Sequence, residues 1–472
     1  MSPNPPDNLS EPRPFTPAEV RRALRTSLVA WGLFGSAWMA MVTGVAYVTF
    51  VRDKLHVSTF YYGLLMSLPF AGSLAQLLGS YWTETRRQRR RQCWSTLVVS
   101  RSIWFLVAAL PWVIPEQRHD ARVGLLLGLM LLSSLLSHIS NPAGFSWFAD
   151  IVPEHIRARY LSRRAAVSTL TVIVASAVVS QIIDHNQSIV VFTLIFCIAG
   201  VLGLADINLY CLRVREPPMH PHEGPPWRLR NVFLLPMQDR SFRGYLWYTA
   251  WEAFRRGVVG PFWWLMALEY LKIGAFWSNM YVMLVPMVFT AVALPFWGGV
   301  CDRFGAKTLV RLGLATSLVY PVLWSLATPR AFHVLLFVPA VIGGFFSAAL
   351  QTAEMSMMFS LTPRENRSAY LACLMLAANL GFAVAMILGG ALAQALKPVV
   401  LHAAGLTFVN FHFLMLISVV LTLLSLLYVL PRLPAQEHVG PGEVLRDLAR
   451  ASLNRVKGER EETPAEVVPE QD

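Results

Sequence analysis

Between two long apolar runs lies the stretch Gly298-Gly299-Val300-Cys301-Asp302-Arg303-Phe304-Gly305-Ala306-Lys307, in the pattern Gly-x-x-x-Asp-Arg-x-Gly-x-Lys. Two helices that leave a membrane on one side must turn back here at once, and Gly305 can take the positive φ of such a turn. We expect Gly298 to let a neighbouring helix approach closely. Asp302 is expected to accept hydrogen bonds at a helix N terminus or to pair with an arginine. Arg303 and Lys307 are expected to stay in the lipid headgroup layer.

The composition outside this stretch is that of a membrane protein. The chain has 472 residues, of which 55% are hydrophobic and only 14% are charged, whereas soluble domains have about 25% charged residues. The apolar residues come in runs of about 20–25, the length that crosses a bilayer core as a helix. We therefore predict an all-α polytopic membrane protein with twelve transmembrane helices. They are placed near residues 27–51, 59–82, 93–114, 123–149, 165–184, 189–212, 242–268, 276–298, 308–327, 333–360, 369–395 and 405–430.

The net charge of +12 could suggest nucleic-acid binding, but its distribution indicates a membrane instead. By this helix assignment, 30 of the 40 Lys and Arg residues lie on one side, counted with the adjoining helix ends. This is the positive-inside asymmetry. We therefore expect an integral protein of the cell (inner) membrane with both termini in the cytoplasm. Five arginines between positions 86 and 91 are also placed to bind anionic lipid headgroups.

The chain divides into two similar halves. We assign residues 1–26 to a cytoplasmic N-terminal tail, 27–212 and 242–430 to two six-helix bundles, 213–241 to a cytoplasmic linker and 431–472 to a cytoplasmic C-terminal tail. A repeat supports this division. At an offset of 210, the string Pro153-x-x-x-Arg157-x-x-Tyr160-Leu161 recurs as Pro363-x-x-x-Arg367-x-x-Tyr370-Leu371. At an offset of 216, Trp31 matches Trp247, Leu55 matches Leu271 and Phe60 matches Phe276.

The stretch around Asp302 resembles the loop between helices 8 and 9 of the major facilitator superfamily. The string Asp150-Ile-Val-Pro153 with Arg157 resembles another loop of that superfamily, whereas the first-half copy after Gly79 keeps only an acid, Glu84, and a basic cluster. The resemblance implies two pseudo-symmetric six-helix bundles that rock around a site near the membrane midplane. It also implies that helices 1, 4, 7 and 10 line a central cavity, and that an ion gradient commonly drives transport of a small solute.

Charged side chains inside a membrane are costly and usually face the bundle interior or a cavity. The candidates for substrate binding or coupling are seven polar residues on helices 4, 7 and 10: His138, Asn141, Glu252, Arg255, Arg256, Gln351 and Glu354. Glu252, Arg255 and Arg256 share one helix face. We expect Arg255 or Arg256 to bind an anionic group of the substrate or to pair with Glu354. Glu252, Glu354 and His138 are the candidates for proton coupling.

Each of these residues also has a purely structural interpretation. The helix 7 charges can form an ion-pair set without a substrate, and His138 can donate to a backbone carbonyl. Arg101 of helix 3 and Asp206 of helix 6 lie at similar depths, and we expect them to form a structural pair or to reach toward the headgroups. Helix 1 offers four residues to the cavity: Trp31, Trp38, Thr43 and Tyr47. The arginines favour an anionic substrate, whereas the aromatic residues favour an amphipathic one.

The predicted function is secondary active transport of a small organic solute by alternating access, coupled to protons. The alternative is a non-transporting membrane sensor or receptor on the same fold. No Walker loop, dinucleotide fingerprint, Gly-x-Ser-x-Gly elbow or His/Cys metal spacing appears in the sequence. We therefore expect neither an enzyme nor a protein with a metal or cofactor, and none of the five cysteines is expected in a disulfide. The expected partners are a small-molecule substrate, protons and membrane lipids, with no nucleic acid, and the protein is expected to be a monomer.

Overall fold

A computed structural model describes residues 15–219, 236–329, 331–362, 367–403 and 406–433. These described residues form twelve long helices, α1–α12. Eleven of them are α1 Pro17–Lys54, α2 Thr59–Arg86, α3 Arg89–Val113, α4 His119–Ile151, α5 Glu154–His185, α6 Ile189–Arg213, α8 Ala275–Phe304, α9 Ala306–Ser325, α10 His333–Leu361, α11 Arg367–Ala395 and α12 Asn410–Arg432. Each of these is long and apolar enough to cross a membrane.

The remaining helix, α7, differs because three charged residues, Glu252, Arg255 and Arg256, lie in its middle. It runs over Arg240–Val259 and resumes after Pro261 as Phe262–Leu265 and Met266–Tyr270. The break lies at Pro261, since a proline inside a helix removes one backbone hydrogen bond. With α7 included, the predicted all-α fold of twelve transmembrane helices is confirmed.

The N terminus of α1 has a capping box formed by Thr16 and Glu19. The Thr16 hydroxyl accepts a hydrogen bond from the Glu19 backbone at 3.2 Å, and the Glu19 carboxylate accepts one from the Thr16 backbone at 2.8 Å. The helix therefore begins at Pro17 and extends about ten residues beyond the apolar run. Parts of the predicted linker (220–235) and of the C-terminal tail (434–472), together with Pro363 of the repeat, lie outside the described residues.

The two halves share a π-helical turn followed by a left-handed residue, at positions that correspond in the sequence repeat. α1 ends in a π-helical turn, Phe50–Lys54, and α7 ends in the same turn 216 positions later, Met266–Tyr270. A left-handed residue follows two positions after each turn, His56 with φ 53° and Lys272 with φ 54°. Since non-glycine residues seldom adopt positive φ, this shared geometry supports an internal duplication.

A short β-hairpin joins α11 to α12. Its strands are β1 Leu401–Ala403 and β2 Leu406–Phe408, and the Thr407 carbonyl accepts a hydrogen bond from Tyr270 of α7 at 2.8 Å. The predicted start of helix 12 near residue 405 was therefore wrong, because α12 begins at Asn410. The β-branched residues before the hairpin suit a strand better than a helix.

Polar contacts join the two halves at one end of the helix bundle. This end lies opposite the end that holds residues 15 and 433, and we call it the distal side. Arg52 of α1 forms a 2.5 Å ion pair with Glu269 of α7. Asn279 of α8 donates a 2.6 Å hydrogen bond to Ser176 of α5. Tyr62 of α2 donates to the carbonyl of Pro261 at 3.1 Å, at the break in α7. These contacts hold the bundles together on the distal side.

Packing between α2 and α11 continues the same seam toward the middle of the helices. A Cβ atom on Gly63 would lie 2.5 Å from the Met386 carbonyl, and one on Gly390 would lie 3.1 Å from the Gly63 Cα. Glycine lets the two backbones touch here, as in other close-packed membrane helices. Further along both helices, Phe70 stacks on Phe382 at a centroid distance of 4.9 Å. The described seam therefore reaches from the distal ends to about the middle of the bundle.

Candidate functional site

The charges on α7 separate into two groups with different surroundings. Glu252 and Arg255 are 2% and 6% exposed and lie against α12. Arg255 contacts the Glu252 carboxylate through Nε at 3.0 Å and Nη2 at 2.9 Å, and its Nη1 donates to the Thr422 hydroxyl at 3.1 Å. The Ser425 hydroxyl donates to the other oxygen of Glu252 at 2.9 Å. This part of the cluster is buried and fully partnered, as a structural ion pair must be.

Arg256 lies between two carboxylates. Its Nε is 3.7 Å from Glu252 Oε2, and its two terminal nitrogens donate to both oxygens of Glu354 on α10. A planar guanidinium held by both carboxylate oxygens has a strong, directional contact. The side chains of Arg256 and Glu354 remain 33% and 27% exposed, so this ion pair is open to solvent, unlike the pair behind it. Of the two predicted arginines, Arg256 is therefore the one that pairs with Glu354.

The four charges balance one another. Two guanidiniums, Arg255 and Arg256, face two carboxylates, Glu252 and Glu354, so the cluster has no net charge when all four are ionised. An arriving anion would therefore have to replace a carboxylate on Arg256. The more accessible carboxylate is Glu354, since Glu252 is buried. The arrangement can thus exchange one anion for another at a single guanidinium.

The remaining candidates on α4 and α10 lie apart from this ion-pair set. Gln351 is exposed one turn before Glu354 and makes no hydrogen bond with another described residue. Asn141 Nδ2 lies 3.3 Å from His138 Nδ1. Both residues belong to α4, so this polar contact stays within the first half.

Pro142 lies inside α4 without interrupting it. The helix runs without a break from His119 to Ile151. Proline is tolerated inside transmembrane helices because neighbouring helices and hydroxyl side chains satisfy the freed backbone groups.

The predicted structural pair between α3 and α6 does not form as an ion pair. Arg101 and Asp206 are both buried, but no oxygen–nitrogen contact within 4.0 Å joins them among the described residues. The Arg101 guanidinium instead lies over the Trp38 ring, 3.3 Å from its centroid. Trp38 is consequently buried in this packing and does not face a cavity, whereas Trp31 on the same helix is 39% exposed.

The loop between α8 and α9 has the predicted turn but not all of the predicted contacts. Gly305 has φ 85° and ψ 153°, a conformation that essentially only glycine adopts. Lys307 donates to the carbonyls of Pro431 and Leu433, at 3.4 Å and 3.3 Å, and so ties the loop to the end of α12. Arg303 is exposed, and its guanidinium lies 5.0 Å from the centroid of the Phe304 ring.

Two expectations for this loop were wrong for the conformation described. Asp302 is exposed and has no hydrogen bond or ion pair with another described residue. A Cβ atom on Gly298 would meet no atom of the described residues within 4 Å, so none of the described helices packs closely there. Gly298 and Gly299 instead present a smooth, open surface on α8. The physical reason is that the two halves meet on the distal side, while this loop is at the other end of α8.

Sequence reasoning missed the partners that complete the site. Thr422 and Ser425 of α12 were not predicted, although two hydroxyl residues three positions apart can face one neighbouring helix. Trp251 Nε1 also donates to the Ser425 hydroxyl, at 2.8 Å. The distal ion pair between Arg52 and Glu269 was likewise missed, since both residues lie near helix ends and are distant in sequence.

Comparisons with known proteins match this architecture. A family model described as Major Facilitator Superfamily matches residues 29–287 and 276–460. No curated protein sequence matches the chain. Among solved structures, a bacterial homologue of the human lysosomal transporter Spinster, in an inward-facing and occupied conformation, is 14% identical with a TM-score of 0.69, covering 89% of this chain and 97% of that one.

Two further solved structures have a similar fold. The nucleoside transporter NupG is 13% identical with a TM-score of 0.64, covering 88% of this chain and 98% of that chain. A D-xylose-proton symporter is 15% identical with a TM-score of 0.64, covering 87% of this chain and 97% of that chain. The family match extends over both halves of the chain and agrees with the twelve helices observed. The chain therefore belongs to the Major Facilitator Superfamily of membrane transporters.

Proposed function

We propose that this protein is a secondary active transporter that carries a small organic solute by alternating access. The observation that carries the proposal is the position of the contacts between the halves. The ion pair Arg52–Glu269, the hydrogen bond Asn279–Ser176 and the α2–α11 seam all lie between the distal ends and the middle of the bundle. Such a seam closes one side of a central site and leaves the other side free to open.

The proposed orientation places both termini in the cytoplasm of a cell with this protein in its inner membrane. The basic residues concentrate on the side of the termini, which supports this orientation. The distal side then faces outward, and the conformation described is inward-facing. A similar structure, the bacterial Spinster homologue, carries the same description of its conformation.

Arg256 and Glu354 form the proposed substrate and coupling site. Their ion pair is partly exposed and joins α7 to α10, while Glu252 holds Arg256 from the other side. A proton on Glu354 would release Arg256 to bind an anionic or strongly polar group of the substrate. When the proton leaves, Glu354 would compete for Arg256 again and displace that group. Proton and substrate would thus be linked through one guanidinium.

The remaining predicted residues have lesser roles in this proposal. Gln351, one turn from Glu354, would offer an amide to the substrate, whereas His138 and Asn141 would shape the facing wall of the first half. Arg255 would hold Glu252 in place and would not contact the substrate, because it is buried against α12.

The test is transport by purified protein in liposomes with an imposed pH gradient. Radiolabelled uridine, D-xylose and naphthalene-2-carboxylate would serve as probes, the first two chosen from the similar nucleoside transporter and D-xylose-proton symporter. We expect accumulation of at least one probe that collapses when the pH gradient is removed. We expect Glu354→Gln to abolish gradient-driven accumulation and Arg256→Ala to abolish transport, while Glu116→Gln, a change at an exposed carboxylate, leaves both intact.

Two outcomes would contradict the proposal. Binding of a probe without any flux would favour the receptor on the same fold. Flux that is unchanged in both Arg256→Ala and Glu354→Gln would show that the transport site lies elsewhere.

A further inference from the structure

An open cavity of about 320 Å³ lies between α1 and α5. It is lined by Trp31 of α1 and by five residues of α5: Leu161, Arg164, Ala165, Ser168 and Thr169. One charged side chain, Arg164, lines it together with hydroxyl groups and a partly exposed indole. Cavities that bind small molecules commonly combine an apolar wall with a few polar groups that fix orientation.

Arg164 is held by aromatic rings. Its guanidinium carbon lies 4.5 Å from the centroid of Phe148 and 5.5 Å from that of Trp31. No carboxylate oxygen lies within 4.0 Å of it among the described residues, and its Nε has no hydrogen-bond partner. Contact with aromatic faces orients the guanidinium plane while leaving its donors free. Arg164 is therefore a preoriented cation without a direct anionic partner in the described part of the chain.

The nearby carboxylate cannot neutralise it. Asp206 of α6 is buried, with one oxygen 2.7 Å from where a Cβ atom on Gly35 would lie. The charge of Asp206 acts on both Arg101 and Arg164. Two guanidiniums therefore share one carboxylate, and this group in the first half has an excess positive charge when all three are ionised. The α7 cluster has no such excess, so an anion is better accommodated beside Arg164.

The local geometry of α1 and α5 supplies the rest of the cavity. α1 has a π-helical turn at Ala30–Gly35, which sets the position of Trp31, and such turns are frequent at functional sites. Ser36 donates to the Trp31 carbonyl at 2.8 Å, so Ser168, 2.5 Å away, must donate to Ser36. Thr169 makes no hydrogen bond with another described residue, which leaves its hydroxyl free to donate.

We propose that this cavity binds a flat, amphipathic organic anion, with its charged group on Arg164 and Thr169 and its ring against Trp31. This inference rests on the proposed transport function and names its class of substrate. It adds a binding site in the first half to the Arg256–Glu354 ion pair in the second half. The exposed indole of Trp31 supplies the stacking surface. The free guanidinium supplies charge-assisted hydrogen bonds that a neutral analogue cannot form.

The test measures binding, not flux, on the purified full-length protein. Naphthalene-2-carboxylate and its neutral counterpart naphthalene-2-carboxamide have nearly the same shape, and each would be titrated while the midpoint of thermal unfolding is followed. We expect the carboxylate, and not the amide, to stabilise the wild type. Arg164→Gln should weaken carboxylate binding at least about tenfold, the equivalent of one lost hydrogen bond to a charged group.

Matched variants separate binding from folding. Arg163→Gln changes the exposed neighbour on the same helix and should bind the carboxylate as the wild type does. Arg164→Lys keeps the charge and should bind more weakly than wild type but better than Arg164→Gln. Trp31→Leu should weaken both ligands' contact with the cavity and lower carboxylate affinity.

Equal stabilisation by the carboxylate and the amide would overturn the proposal, as would equal carboxylate binding by Arg164→Gln and Arg163→Gln. Absence of any carboxylate binding to the wild type would overturn it too. If only the proposed transport function is wrong, the carboxylate would still bind in a manner that depends on Arg164, but liposomes would show no flux.

Discussion

Arg89 Nη1 lies 2.6 Å from Asp150 Oδ2, and this ion pair ties the start of α3 to the end of α4. The Arg89 side chain is fully buried, and it also donates to the Ser146 hydroxyl and to the Pro217 carbonyl. Glu216, which follows α6, accepts hydrogen bonds from the backbone of Arg89 at 2.9 Å and so caps α3. One guanidinium thus joins three helix ends of the first half.

Replacement of Arg89 by alanine should destabilise the first half markedly. Arg89→Ala removes a buried guanidinium with several partners, and breaking a buried ion pair costs about 3–5 kcal/mol in the free energy of unfolding. The effect should fall at the lower end of this range, because Asp150 remains partly hydrated. Thermal unfolding of Arg89→Ala in detergent measures it, with the exposed neighbour Arg90→Ala as control. Equal unfolding midpoints for the two variants would contradict this role of Arg89.

The same loop shows what the sequence could not reveal. The first-half copy of the motif lacks the second glycine, and Arg87 takes the left-handed position at the end of α2 with φ 51°. The ion pairs of Arg89 need Asp150 and Glu216, which are distant from it in sequence, so no spacing pattern indicates them. By contrast, runs of apolar residues predicted the twelve helices, because a bilayer fixes the length of each one.

The sequence predicted the contacts within α7 but not the contacts between α7 and its neighbouring helices. Residues on one helix, such as Glu252 and Arg255, can be paired from their spacing alone. Which of Arg255 and Arg256 faces α10 depends on how α7 is rotated against α12, and that rotation is set by side-chain packing. The hydroxyls of α12 that hold Arg255 could not be assigned for the same reason.

The turn between α8 and α9 should depend on Gly305. Its φ of 85° with ψ of 153° is accessible to glycine, and a side chain there costs about 1–3 kcal/mol. Gly305→Ala should therefore lower the midpoint of thermal unfolding. Gly299→Ala is the matched control, because a Cβ at that position meets nothing within 4 Å and the residue is helical. If Gly299→Ala is as destabilising as Gly305→Ala, backbone strain is not the cause.

Neutralising Glu252 should damage stability far more than neutralising Glu354. Glu252→Gln leaves the buried Arg255 without its carboxylate, a loss of about 3–5 kcal/mol. Glu354→Gln acts on a pair that is about one-third exposed, so water compensates for much of the lost contact. The midpoint of thermal unfolding should therefore fall strongly in Glu252→Gln and only slightly in Glu354→Gln. The reverse order would mean that Arg255 does not rely on Glu252.

Asp184 of α5 caps α8 across the boundary between the two halves. Its carboxylate accepts hydrogen bonds from the backbone of Ala275 at 2.5 Å and of Phe276 at 2.9 Å. The residue before α8 is Gly274, which has no side chain to cap the helix. Its equivalent in the first half is Ser58, whose hydroxyl caps α2. The cap of α8 comes from Asp184 instead. The distal closure is therefore coupled to the N terminus of α8.

Asp184→Ala should weaken this closure, since loss of an N-cap costs about 0.5–2 kcal/mol and here only the closed state contains the cap. A free-energy change of that size shifts the ratio of closed to open molecules by about two- to thirtyfold. Spin labels at the exposed distal positions 118 and 400, one in each half, would report it as a new population at longer distance. Asp120→Ala, an exposed distal carboxylate within the first half, is the control and should leave the distances unchanged. If Asp184→Ala and Asp120→Ala give the same distances, then Asp184 does not hold the halves together.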